Sequence, residues 1–238
     1  GTTTDGVPVE VKAYGRDATD SQLMAKIWRT VLYRGTAERL TASRIQSVEH
    51  EALVTMLAEK AGVPVPSVLA AASANEEVAV LVTTRAGVVL SEIESPDDVD
   101  QAALVDLWRE IKTMHKAGIT HGAPTLGTIR LTESGFTIGE FGNGSVVFKQ
   151  SEACLDVVHL LFATAAMLGP ERAVAAAQAG LGNDKLAECL GYLQPPALTA
   201  RERRSVKGSA KLLKTLREQV SKVTEIEPPE PVKLRRIS

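Results

Sequence analysis

The run "ACLDVVHLLFATAAMLG", residues 153–169, constrains the fold more than any other stretch, because seventeen mainly apolar residues at helical length have to be covered by something. It is shorter than the roughly 20 apolar residues that a membrane-crossing helix needs, and it carries Asp156 and His159. It therefore reads as a helix buried in the core of a folded domain, too short and too polar to span a bilayer. Asp156 inside it has to find hydrogen-bond donors, since a buried carboxylate without partners is costly.

The rest of the chain supplies the cover. "VPVEVKAYG" (7–15) alternates valines with Pro, Glu and Lys and stops at a glycine, which reads as a strand with Lys12 off one face. "DSQLMAKIWRTV" (20–31) has helical spacing behind an Asp20 cap. "SVEHEALVTMLAEKAG" (47–62) reads as a second helix, with Ser47 as cap, an apolar face of Val48, Leu53, Met56 and Leu57, and Gly62 as its end. "VPVPSVLAAA" (63–72) and "EVAVLVTTR" (77–85) read as strands joined at "SANE".

Beyond the acidic "SEIESPDDVD" (91–100) the pattern turns helical. Leu104, Leu107, Trp108, Ile111, Met114 and His115 share one helical face. "TIRLTESGFTIGEF" reads as two short strands turning at "ESG", and helices follow at 170–180, 184–193 and 198–224. "EIEPPEPVKLRRIS" (225–238) is Pro-rich and charged, the composition of an extended tail. The expectation is an α+β fold of two lobes, residues 1–90 small and sheet-bearing, residues 91–224 mainly helical.

Composition excludes several classes. A net charge of −2 argues against a nucleic-acid-binding domain. Cys154 and Cys189, both in apolar helical stretches, make neither a disulfide framework nor a metal spacing. No His/Cys cluster has the spacing of a metal site, and His115 and His159 lie on apolar helix faces as core or rim residues.

A strand lysine, a helix with a glutamate followed by "GVPVP", a "HG" loop, a hairpin and an acidic residue before glycine occur in the order found in protein kinases. The chain resembles the aminoglycoside-phosphotransferase-like branch of that fold over roughly residues 7–195. The resemblance implies a pair between Lys12 and Glu51, with Glu49 the less favoured partner. It places the catalytic loop at His121, Gly122, Ala123 and Thr128, the metal-binding acidic position at Glu140 in "GEFG", and Asp156 as the buried carboxylate holding the 121–128 loop.

More narrowly, "VKAYGRDATDSQLMAKIWR", "VEHEALVTMLAEKAG", "ITHG", "GPERAV" and "VKLRRIS" look like the cytoplasmic kinase-like domain of an actinobacterial family of integral membrane proteins. There the domain is joined to a transmembrane region similar to lysylphosphatidylglycerol synthases and flippases. This resemblance implies one domain of a longer polypeptide on the cytoplasmic side of the plasma membrane, with protein partners and that transmembrane region as contacts.

Three positions depart from the kinase pattern. Ala123 stands where an Asp receives or orients the acceptor hydroxyl, Thr128 where an Asn holds metal, and Glu140 is one methylene longer than the usual Asp. Loss of a general base costs about 10²–10⁴ in rate. A Gly-rich loop would precede the Lys12 strand, and "GTTTDG" is not one. The expectation is a catalytically inactive, regulatory or scaffolding domain with no cofactor and at most weak ATP and Mg²⁺ binding. The alternative is an atypical phosphotransferase using Glu140 with one metal. Lys233, Arg235 and Arg236, with the basic helix face from Arg201 to Arg217, would sit against anionic lipid headgroups under a bilayer.

Overall fold

The computed structural model describes residues 1–14, 42–75 and 78–232. The expected helix at 20–31 and the basic residues Lys233, Arg235 and Arg236 lie outside the described residues. So does part of the "SANE" turn.

Three strands, β1 (Val9–Tyr14), β2 (Val68–Asn75) and β3 (Val78–Thr84), form an antiparallel sheet in the order β1-β3-β2. The side-chain period of two sorts this sheet into two faces. Ala79 and Leu81 pack with Val48 and Ala52 of helix α1 (Ala42–Lys60), while Val78 and Val80 pack with Val11, Ala13 and Ala72 on the other side. Lys12 pairs with Leu81 and Tyr14 with Ala79, so both side chains project on the face that α1 covers.

Helix α1 begins five residues earlier than the Ser47 cap suggests, and its buried face differs from the expected one. Val48, Glu51, Ala52, Val54, Thr55 and Ala58 are buried, whereas Leu53 and Met56 are nearly half exposed. Small residues lie inward because the helix has to approach the sheet closely. The segment 63–67 is not a strand but is tied to two of them, the Pro64 carbonyl accepting the Ile138 N–H at 2.8 Å and the Ser67 carbonyl the Thr84 N–H at 3.0 Å, and the strand itself starts at Val68.

A short strand β4 (Val88–Val89) leads out of the upper sheet and pairs with β5 (Ile129–Thr132), which pairs in turn with β6 (Gly135–Ile138). Below these lie the helices. Helix α2 (Gln101–Lys116) is capped by the Asp100 carboxylate, which accepts from the Ala103 N–H at 3.0 Å, and it buries the expected stripe from Leu104 to His115.

The apolar run forms the greater part of α3 (Gln150–Leu168). At 19 residues and a mean hydropathy of 1.5 this helix passes a membrane-span test of length and composition, contrary to the expectation that it is too short. About two thirds of its apolar window is buried within the domain, against its neighbours α4 (Pro170–Leu181) and α5 (Asn183–Cys189). Its role is that of a core helix.

The expected helix at 184–193 ends at Cys189 and continues as a tight turn. The expected helix at 198–224 is two helices, α6 (Ala200–Ser205) and α7 (Ser209–Thr224), broken at Gly208, which sits at φ 79°. Residues 225–232 of the tail are extended but not loose. The Val232 N–H donates to the Gly191 carbonyl at 3.1 Å, the Gln194 amide to the Val232 carbonyl at 2.7 Å, and Arg217 to the Pro229 carbonyl.

The chain is therefore α+β, with a small sheet-bearing N-terminal lobe and a mainly helical C-terminal lobe in the element order of a protein-kinase-like fold. One large core joins them: Val54, Ala58 and Val63 belong to the same cluster as Leu104, Ile129, Phe141 and the α3 residues.

Candidate functional site

The cleft between the lobes has a volume of about 360 Å³ and is lined by Glu10, Lys12 and Thr83 from above, Glu51 at the back, and Arg130 and Glu140 from below. Its charged lining comprises four carboxylates (Glu10, Glu51, Glu92, Glu140) against three cations (Lys12, Arg85, Arg130), so it carries no surplus of positive charge for a triphosphate.

Lys12 is the hub. Its Nζ donates to both carboxylate oxygens of Glu51 at 3.0 Å and to Glu140 Oε2 at 2.5 Å, and it lies 5.3 Å from the Tyr14 ring centroid. Glu51 is 3% exposed and also accepts from the Tyr14 hydroxyl, while Glu49 is on the exposed side of α1 and takes no part. Partial burial disfavours the ammonium, but the hydrogen bonds it donates to Glu140 and Glu51 outweigh it and the Lys12 pKa is raised. For Glu51 burial outweighs the attraction of Lys12, and its pKa is raised.

Glu140 sits at φ 66° and ψ 48° in the turn after β6. A non-glycine residue in the left-handed region costs about 1–2 kcal/mol, and here that conformation accompanies the carboxylate's contact with Lys12.

The 121–128 loop is held from beneath. Asp156 on α3 is fully buried and accepts the His121 N–H at 2.7 Å, the Gly122 N–H at 2.8 Å and His115 Nε2–H at 3.1 Å. The expected role of Asp156 matches this geometry. His121 donates from Nε2 to the Gly139 carbonyl at 2.8 Å, and its ring packs 4.9 Å from that of Phe141. Burial lowers its pKa despite Asp156 nearby, so the ring is neutral.

Gly122 is required at its position. Its φ is 91°, and a Cβ there would lie 2.2 Å from the Asn143 carbonyl oxygen. The next residue, Ala123, offers only a methyl group. Thr128 spends its hydroxyl inside the loop, donating to the Thr125 carbonyl and accepting the Thr125 N–H, both at 3.0 Å. The loop is thus closed and polar-satisfied with no side-chain carboxylate of its own. Glu140 lines the same cavity as His121, Ala123 and Thr128, and no group of three or more metal-ligating side chains occurs among the described residues.

Below the loop a second cavity of about 560 Å³, lined by Ala123, Thr128, Glu140, Phe162 and Arg201 among others, opens from the same edge. At its rim His159 donates to Glu202 at 2.6 Å, tying α3 to α6. Both expected core histidines are therefore buried and bonded to carboxylates. Of the basic helix face, Arg203 donates to the Pro195 carbonyl at 3.2 Å and to the Leu198 carbonyl, and Arg217 to the Pro229 carbonyl.

Sequence reasoning missed Tyr14 and the pair Glu10–Arg130, which spans the cleft at 2.8 Å. Strand alternation carried the signal: Glu10 and Tyr14 lie two residues either side of Lys12 and so share its face, and Arg130 lies two beyond Thr128.

No protein family model matches the chain, and no curated protein matches it. Among solved structures it is similar to the bifunctional kinase-methyltransferase WbdD, with 15% identity and a TM-score of 0.45 over 88% of this chain and 45% of that one. It is also similar to vaccinia related kinase 3, with 10% identity and a TM-score of 0.43 over 98% of this chain and 86% of that one. This chain thus spans less than half the length of the first. The kinase-like assignment of the fold rests on the placement of Lys12, Glu51, the 121–128 loop and Asp156.

Proposed function

We propose that this chain is a kinase-like domain without phosphoryl-transfer activity, which regulates or scaffolds a membrane protein through protein contacts. One observation carries the reading. The loop that would present the catalytic carboxylate is fully built, with Asp156 beneath it and His121 and Gly122 in place, yet it presents Ala123. Loss of a positioned base costs about 10²–10⁴ in rate. The hydroxyl of Thr128 is taken by its own loop, and the ammonium of Lys12 is shared by two carboxylates. A scaffold kept in this detail around an inert residue favours a role for the lobes as a surface.

The membrane setting rests on the sequence resemblance and on the basic residues Lys233, Arg235 and Arg236. Each basic residue near an anionic bilayer contributes about 1 kcal/mol. In this reading the domain lies on the cytoplasmic side, with the attached transmembrane region and protein partners as its contacts. Co-sedimentation with phosphatidylglycerol vesicles tests it: binding that falls when Lys233, Arg235 and Arg236 are replaced by Ala supports the placement, and binding that does not change contradicts it.

A second reading, an atypical phosphotransferase with weak metal-nucleotide binding, is favoured by Glu140, a carboxylate held in the cleft in a left-handed backbone conformation. The two readings separate in a thermal-shift titration with ATP and Mg²⁺ or Mn²⁺, since a ligand that binds only the folded state raises its stability by RT ln(1 + [L]/Kd). No shift at millimolar nucleotide supports the inactive domain, and a metal-dependent shift supports the enzyme.

A further inference from the structure

We infer that Glu10 and Arg130 form a built-in latch, which crosses the cleft between the lobes, narrows it against a flat base and ties the two lobes together without any ligand. The inference deepens the functional proposal and rests on its reading of the cleft as one that does not turn over nucleotide.

Glu10 and Lys12 project from the same face of β1, and Arg130 meets them from β5 on the opposite lobe. Arg130 Nη2 donates to Glu10 Oε2 at 2.8 Å, joining residues 120 positions apart in the chain. A planar ring held between two layers needs about 7 Å between them, twice a van der Waals contact of about 3.5 Å. A direct hydrogen bond across the same slot leaves no such gap.

The guanidinium is held inside the cleft: the Arg130 side chain is 14% exposed, against 43% for Glu10, and its Nη2 bonds Glu10 while its Nη1 is buried with no partner among the described residues, a cost that this placement carries. A second tie, Lys12 to Glu140, runs from the same strand β1 to the turn after β6. Two ion pairs therefore connect β1 to the lower lobe, and all four side chains line the cleft.

The test compares the wild type with Glu10→Ala/Arg130→Leu and with the charge-reversed Glu10→Arg/Arg130→Glu, each first shown to be folded by circular dichroism. The readouts are thermal shift with millimolar adenosine, ADP or ATP with Mg²⁺, and amide hydrogen exchange. The wild type is expected to give no shift. The Ala/Leu variant is expected to gain a shift with adenosine, and its amides at residues 10–12 and 129–131 to exchange on the order of fivefold faster, through more frequent local opening. Charge reversal restores slow exchange and the absence of a shift.

A folded Ala/Leu variant that exchanges as slowly as the wild type and gains no shift overturns the latch alone, as does a wild type that binds adenosine without turnover. Conversion of ATP to ADP by the wild type overturns the functional reading and the latch together.

Discussion

Lys12 on β1 and Glu51 on α1 are joined by two hydrogen bonds of 3.0 Å, with the carboxylate almost wholly buried, so that strand and helix behave as one unit. Replacing Lys12 by Met leaves a buried carboxylate with only Tyr14 to bond it. Breaking a fully buried pair costs about 3–5 kcal/mol, but the Lys12 side chain is one-third exposed and water can replace part of the interaction. The expected loss is about 1–3 kcal/mol in urea denaturation. Lys12→Met combined with Glu51→Gln should lose less than Lys12→Met alone, because the orphaned charge is gone.

Asp156 is the structural centre of the loop. Asp156→Ala strands the buried His121 N–H and His115 ring and the more exposed Gly122 N–H, and is expected to cost about 1–3 kcal/mol for each donor left buried without a partner. Asp156→Asn keeps one carbonyl acceptor and should fall between. The check is denaturant unfolding together with exchange of the amides of His121 and Gly122, which should speed up before the rest of the domain opens.

Gly180 lies in helix α4, where alanine is ordinarily worth about 1 kcal/mol over glycine. Here a Cβ would stand 2.5 Å from both the Trp108 Cβ and the Val105 carbonyl oxygen of α2. Gly180→Ala should therefore lower stability by about 1–3 kcal/mol through overpacking. A rise in melting temperature would show that α2 and α4 are not packed this closely.

Stability should fall with acid in two stages. His121 has a folded pKa lowered by burial, so the unfolded chain takes up a proton near 6.5 while the folded one does not. Its contribution is complete above about pH 6.5 and is lost below it. Burial acts to raise the pKa of Glu202, but hydrogen bonds from His159 and Thr199 outweigh it and the net shift is downward. Its contribution is complete above 4.5 and is lost as pH falls through the lower folded value. Urea midpoints measured from pH 7.5 to 3 should decline through both windows, offset in part by Glu51, whose raised pKa acts the other way, and Glu202→Gln should flatten the lower window only.

Periodicity made much of this architecture legible. The α2 stripe from Leu104 to His115, the core helix around Asp156 and the β5–β6 hairpin follow from spacing, because each presents one apolar face to one core. Helix α1 misled in part: of its expected apolar face Val48 and Leu57 pack inward, but Leu53 and Met56 point outward, and Ala52, Val54 and Ala58 are buried in their place. The break at Gly208 was hidden in a basic, helix-favouring stretch. At the site, motif order located Lys12, Glu51, Glu140 and the loop, each tied to a short local signature. Glu10–Arg130 escaped because its partners are 120 residues apart and each alone looks like a surface charge.

In the proposed function the kinase-like cleft neither binds nor spends ATP. The most direct test is single-turnover transfer from γ-labelled ATP, with Mg²⁺ and then Mn²⁺, on the wild type beside Ala123→Asp. No transfer is expected from either protein, since the latch and the doubly paired Lys12 remain in both. Transfer by the wild type above the buffer rate, abolished by Glu140→Ala, would contradict it.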